Sequence, residues 1–148
     1  MNETRGFVGV EEGLTERVIG VFYKVYNDLG YGFVESVYAR AMAIALTEHG
    51  LSVASEVAIP VSYHGQLVGS FRADVLVEKK VILEFKIADQ ILKPFEAQLT
   101  NYLRASTYEV GLILSFGQSA KFRRIEFLNA RKRKIPGSPP IPSLSLSS

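Results

Sequence analysis

The sequence predicts an α/β domain in which a mixed β-sheet is flanked by helices, in the order α-α-β-β-β-α-β-β. Three observations carry this expectation. The chain opens with two segments whose apolar residues recur at helical spacing, and from Leu51 the period changes to two. A further helical segment near Pro94 then separates the alternating strands from a continuous apolar run. With 148 residues, the chain is large enough for one real core but too short for two domains.

Leu14, Val18, Phe22, Val25 and Leu29 place a first amphipathic helix over residues 14 to 29, which Gly30-Tyr31-Gly32 stops. A second helix fits residues 33 to 49, with Val34, Val37, Tyr38, Ala41 and Ala45 on one side and Gly50 beyond its end. Val57, Ile59 and Val61 then alternate with polar or small residues, and His64-Gly65-Gln66 is a turn signal.

Strands are expected over about 67 to 77 and 81 to 87. In that hairpin Phe71, Ala73, Val75 and Val77 share one parity with Val81, Leu83, Phe85 and Ile87, so one apolar face can hold all of them. The other face carries Arg72, Asp74, Glu84 and Lys86. Register decides whether the two acids meet. A three-residue loop, Glu78-Lys79-Lys80, sets Asp74 opposite Glu84, whereas a two-residue loop puts them on opposite faces unless a bulge intervenes. Burial of the odd-numbered face favours the first arrangement, because a one-residue slip would turn one strand's apolar set to solvent.

Phe95, Leu99, Tyr102 and Leu103 give the third helix, with Gln98 and Tyr102 one turn apart. Glu109 to Phe116 reads as a buried strand, and Gly117-Gln118-Ser119 turns the chain into a last strand near 122 to 128. The domain is thus expected over 14 to 130, between a short lead (1 to 13) and a basic, then Pro- and Ser-rich disordered tail (131 to 148). No apolar leader or membrane-length stretch is visible, which predicts a soluble cytoplasmic protein.

Composition narrows the chemistry. The chain has no Cys and only His49 and His64, which excludes thiol nucleophiles, disulfides and Cys-based metal centres and disfavours a His-rich one. Any metal must find oxygen ligands. Charge is unevenly placed: residues 1 to 120 hold ten basic and fourteen acidic side chains, and residues 121 to 148 hold seven basic and one acidic. The basic end, with Lys121, Arg123, Arg124 and Arg131-Lys132-Arg133-Lys134, is either a phosphate-contacting flank or a solubilising tail.

Asp74 interrupts Ala73, Val75, Leu76 and Val77, and Glu84 interrupts Val81-Ile82-Leu83 and Phe85, so neither looks like ordinary strand composition. Converging from paired strands, the two make a hard, anionic oxygen site suited to Mg²⁺ or Mn²⁺, to which the Phe85 carbonyl can add. Lys86 shares the face and would stand beside the attacking water. Phosphodiester hydrolysis fits such a site. The bland alternative is a structural Asp/Glu/Lys ion cluster.

At this point the chain resembles a known family. Asp74 and Glu84-x-Lys86, with the preceding helix, look like the PD-(D/E)XK nuclease superfamily. Gly32-Phe33-Val34-Glu35-Ser36-Val37-Tyr38 is similar to the motif of its GxxExxY branch, and Gln98-Leu99-Thr100-Asn101-Tyr102 resembles the Q-x-x-x-Y motif of RecB-like members. The resemblance spans about residues 14 to 128 and implies a restriction-endonuclease-like, three-layer core. It further implies that Asp74, Glu84 and Glu35 bind Mg²⁺ or Mn²⁺, that Lys86 assists the water, and that Gln98 and Tyr102 position the lysine, the water or the backbone of DNA or RNA. Ala73 stands at the position of the superfamily's proline, which is often missing.

Spacing alone reads several of these residues differently. Glu35 lies off the Val34/Val37/Tyr38 stripe and can be a solvent-exposed partner of Arg40, Tyr38 fits the core, and Gln98 can serve an exposed helix face. His49 reads as a helix C-terminal cation and His64 as a turn residue. Two functions from different classes therefore stand: a Mg²⁺-dependent nuclease, and a non-catalytic nucleic-acid-binding or protein-interaction module that keeps the fold. In either case a partner or a homodimer is left to supply substrate selection.

Overall fold

A computed structural model describes residues 9–132. The two opening helical patterns become α1 (Glu12–Leu29) and α2 (Glu35–Glu48). The alternating segments become β1 (Val53–Tyr63), β2 (Gln66–Val77) and β3 (Val81–Lys86), followed by α3 (Lys93–Arg104), β4 (Val110–Phe116), β5 (Ala120–Glu126) and a 3-10 turn, Asn129–Arg131. The order matches the expected α-α-β-β-β-α-β-β. First turns and loops account for the small boundary shifts; α1, for instance, starts inside the expected lead.

The five strands form one sheet in the order β1-β2-β3-β4-β5. All neighbours are antiparallel except β3 and β4, which run parallel because α3 carries the chain back between them. β4 is buried along its whole length, as its unbroken apolar run requires. On one face Val18, Phe22, Tyr38, Met42 and Leu46 of α1 and α2 pack on Val75, Val77, Leu83 and Phe85. On the other, Leu99, Tyr102 and Leu103 of α3 pack on Ile59, Leu76, Ile82 and Ile113. Helices, sheet and helix make three layers.

Three expectations need correcting. The buried stripe of α2 is Tyr38, Met42, Ala45 and Leu46, while Val34 is 66% exposed and Val37 lies at the surface. The helix is apolar on several sides, and contact with α1 and the sheet selects the phase. Secondly, β2 does not keep its parity: Val75 and Val77 join the α1/α2 side, but Ala73 joins the α3 side and Phe71 lies against Tyr102. The alternation breaks at Asp74. Opposite it on β1, Glu56 has φ 55, and the pairing passes from Ser55–Val75 to Val57–Ala73 across this distorted step. Finally, Ile87 lies past the end of β3 and is exposed.

His49 caps α2, with Nδ1 2.8 Å from the Ala45 carbonyl, and His64 occupies the turn between β1 and β2 at φ 49. The first eight residues of the expected lead, and residues 133 to 148 of the expected tail with Arg133 and Lys134, lie outside the described residues. Arg131 and Lys132, expected in that tail, close the 3-10 turn, and Lys132 is buried. Among the described residues no helix is long and apolar enough to cross a membrane.

Candidate active site

The β2–β3 hairpin turns through Glu78, Lys79 and Lys80, with Lys80 N donating to the Val77 carbonyl and Glu78 and Lys79 both at positive φ. This three-residue connection pairs Val77 with Val81 and Val75 with Leu83, the register that sets Asp74 against Glu84. Beyond Val75 and Leu83 the backbone ladder ends and the acids take its place. Asp74 N donates to Glu84 Oε2 at 3.0 Å, and Phe85 N donates to Asp74 Oδ2 at 2.8 Å. The expected convergence is therefore present and has a local cause: each carboxylate satisfies a backbone N–H that the splayed ladder would otherwise orphan.

One oxygen on each acid is left. Asp74 Oδ1 and Glu84 Oε1 accept no hydrogen bond among the described residues. Glu84 is only 4% exposed, so its charge is formed in a poorly solvated place. Burial first, and then the charge of Asp74, push its carboxyl up to about 8. Burial also raises Asp74, against the opposing pull of the Phe85 amide and Lys86. A buried and a half-buried carboxylate with unused oxygens and raised affinities for a proton form a site short of positive charge.

Lys86 supplies part of it. It is half-buried on the strand that carries Glu84, and its Nζ donates to Gln98 Oε1 at 3.1 Å while lying 4.8 Å from the centre of the Phe95 ring. Gln98 is presented by α3, whose start is set by Pro94. Tyr102, one turn on, is buried next to the acids: burial and the charges of Glu84 and Asp74 push its phenol up to about 12. Its hydroxyl makes no hydrogen bond among the described residues.

Glu35 reaches the same place from the other side of the sheet. It opens α2, and although the residue as a whole is exposed, packing around its carboxyl and the charge of Asp74 raise it above the usual range. The loop before it is held by Tyr38. The Tyr38 hydroxyl donates to the Gly30 carbonyl at 2.5 Å and accepts from Phe33 N, and its ring stacks on Phe116 with centroids 4.1 Å apart. Gly32, at φ 111, supplies the backbone turn that few other residues tolerate. Tyr38 is thus a core residue whose hydroxyl shapes the approach to Glu35, and Glu35 makes no ion pair with Arg40 among the described residues.

A groove of about 710 Å³ lies beside Asp74 on the α2 side, lined by Glu35, Ser36, Arg40, Ser55, Glu56 and Asp74 among others; Glu84 and Lys86 do not line it. Ser55 and Glu56 were not singled out by sequence, and Arg40 was named only as a partner for Glu35. The only sequence sign of Glu56 is an acid at the start of an alternating strand. The donor set fits a hard divalent cation, since the uncommitted ligand atoms near Asp74 and Glu84 are oxygens: those of the carboxylates and the Tyr102 hydroxyl. Among the described residues, no three acidic, His or Cys side chains form a closed cage, so such an ion would depend on two strand carboxylates and water.

The expected phosphate contacts on β5 do not form one patch. Arg123 and Arg124 are adjacent in a strand and so point to opposite faces. Arg123 pairs with Glu96 of α3, while Arg124 binds Glu126, the Val10 carbonyl and Thr15 Oγ1 on the α1 side. Lys121 has the strand parity of Arg123, and both line a small hollow with Tyr23 and Phe122, so it is Arg124 that stands apart.

The layers, the strand order and the parallel β3–β4 step around α3 are those of a restriction-endonuclease-like α/β core. A family model of the PD-(D/E)XK nuclease superfamily matches residues 12–125, and the chain belongs to that superfamily. No curated protein and no solved structure matches it.

Proposed function

We propose that this protein is a metal-dependent nuclease that hydrolyses phosphodiester bonds in DNA or RNA, within the GxxExxY branch of its superfamily. A single unit over about residues 14 to 130 carries the activity. The observation that carries the reading is the pair of uncommitted oxygens, Asp74 Oδ1 and Glu84 Oε1, brought together at the splayed end of β2 and β3 beside Lys86. Asp74 and Glu84 would hold Mg²⁺ or Mn²⁺, with Glu35 reaching the metal shell from α2 through water. When bound, the cation supplies neutralisation of the phosphate charge and a more acidic water.

The chain's own groups do the rest. Gln98 fixes the Lys86 ammonium, whose remaining N–H groups hold the attacking water and the charge that builds on the phosphate oxygens. Tyr102 offers its hydroxyl to the same water or to the substrate backbone. Phe95 lies over the lysine and limits solvent around it, and Phe71 packs beside Tyr102. Cleavage of labelled single- and double-stranded DNA and RNA in Mg²⁺ or Mn²⁺, set beside Asp74→Ala and Lys86→Ala, tests the reading. Loss of cleavage in both variants supports it, and activity that survives both changes refutes it. Metal-free binding without turnover in Mg²⁺ or Mn²⁺ would instead identify a nucleic-acid-binding module.

A further inference from the structure

At the C-terminal end of α3, away from the acids, a cavity of about 500 Å³ is lined by Arg104, Phe127, Arg131 and Lys132. Three of those four residues are cationic and none is acidic. The guanidinium groups of Arg104 and Arg131 both lie over the Phe127 ring, 5.1 and 5.9 Å from its centre. Neither makes an ion pair or a hydrogen bond through its side chain among the described residues, although both are exposed. Lys132 is 8% exposed, and its Nζ donates to the Ser106 and Tyr108 carbonyls at 2.7 Å each. Glu109, the acid whose charge acts on Lys132, is already used: its Oε2 accepts from Asn129 N.

The dipole of α3 accounts for a cation at Arg104. It accounts neither for Arg131 on a separate turn nor for a third cation sealed beneath them. Phe127 holds both guanidinium planes in place, so their N–H donors are ordered without being consumed. Such donors suit a phosphate group, which takes paired N–H bonds from arginine.

We propose that Arg104, Arg131 and Lys132 form an anion site that takes a backbone phosphate of the nucleic acid, anchoring one strand at a distance from the acids. This rests on the nuclease reading for the identity of the polymer. Gln98 and Arg104 lie six residues apart on one helix, about 9 Å along its axis, so one rigid element positions both the Lys86 partner and the anchor. Lys132 keeps the cavity floor closed through the two carbonyls, and the two arginines make the contact.

The test measures binding in EDTA, which separates it from catalysis. Fluorescence anisotropy of short labelled DNA and RNA is recorded against salt for the full chain, for Arg104→Gln/Arg131→Gln, for Arg131→Gln alone and for Lys24→Ala, a surface control ion-paired to Asp28. Circular dichroism checks folding. The double variant is expected to bind roughly 10-fold more weakly or worse, with a salt slope shallower by about 0.7 to 0.9 for each lost phosphate contact. Arg131→Gln, outside any α-helix, should show part of both changes, and Lys24→Ala neither. Inorganic polyphosphate should displace the nucleic acid from the full chain better than polyglutamate of equal charge. Unchanged affinity and slope in folded Arg131→Gln and double variants would overturn the proposal, as would equal competition by polyglutamate. Failure of the nuclease reading appears elsewhere, as cleavage indifferent to Asp74→Ala.

Discussion

Replacing Glu84 with glutamine should make the metal-free protein more stable while abolishing its activity. The carboxyl titrates at about 8 in the fold against an ordinary value of 4.5. A raised acid keeps its proton in the folded state after the unfolded chain has released it, so stability in the absence of a cation falls as pH rises from 4.5 to about 8, then levels off. At pH 7 the accumulated penalty is on the order of 3 kcal/mol. Glutamine does not titrate, keeps an oxygen to accept from Asp74 N, and fills nearly the same volume. Glu84→Gln should therefore match the wild type near pH 4.5 and exceed it at pH 7 to 8 in EDTA, with a Tm higher by roughly 10 °C. Adding Mg²⁺ or Mn²⁺ at pH 8 should narrow the gap by raising the wild type alone. Thermal and urea denaturation at several pH values measure both. A variant no more stable than wild type at pH 8 in EDTA would refute the reasoning, because Glu84 would then already be compensated within the fold.

Other perturbations probe the neighbouring groups. Lys86→Ala should lower cleavage by at least about 100-fold without unfolding the domain. Because Lys86 also holds the Asp74, Glu84 and Glu35 carboxyls down, the variant's Mn²⁺ binding should shift to higher pH, which calorimetric titration across pH reads. Tyr102→Phe removes a hydroxyl with no hydrogen bond among the described residues, so stability should change by less than about 1 kcal/mol while kcat falls; an unaltered kcat would remove Tyr102 from the site. Gly117→Ala should destabilise by about 1 to 3 kcal/mol or more. Its Cβ would run into the Ala88 carbonyl and stand 2.6 Å from Asp89 Oδ1, in the tie that holds the loop after Lys86 to the end of β4. A chemical denaturation midpoint near wild type would count against that packing.

Much of the site was legible because one constraint overdetermined it. Burying Val75, Val77, Val81 and Leu83 together permits a single register, and that register sets Asp74 against Glu84. The element order followed from changes in hydrophobic period. What escaped the sequence arose where tertiary contact overrides local pattern. The face switch at Asp74 depends on the ladder ending after Val75 and on the positive φ of Glu56, neither of which composition encodes. The phase of α2 was set by its packing on α1 and Phe116, so Met42 and Leu46 took the place expected for Val34 and Val37. The separation of Arg123 from Arg124 was readable in principle, since adjacent strand residues diverge, but a run of basic residues reads as a patch until the strand is drawn. Lys132 could not be placed without the carbonyls of Ser106 and Tyr108, more than twenty positions earlier.

In the proposed site Asp74 Oδ1 and Glu84 Oε1 share one hard cation. Crystals of the protein soaked in Mn²⁺ and measured for anomalous scattering test it most directly. A single strong peak is expected between the two carboxylates at the end of the β2–β3 ladder, lost in Asp74→Ala. Density that shows both oxygens bound only to protein or water, in crystals where Mn²⁺ is present, would contradict it.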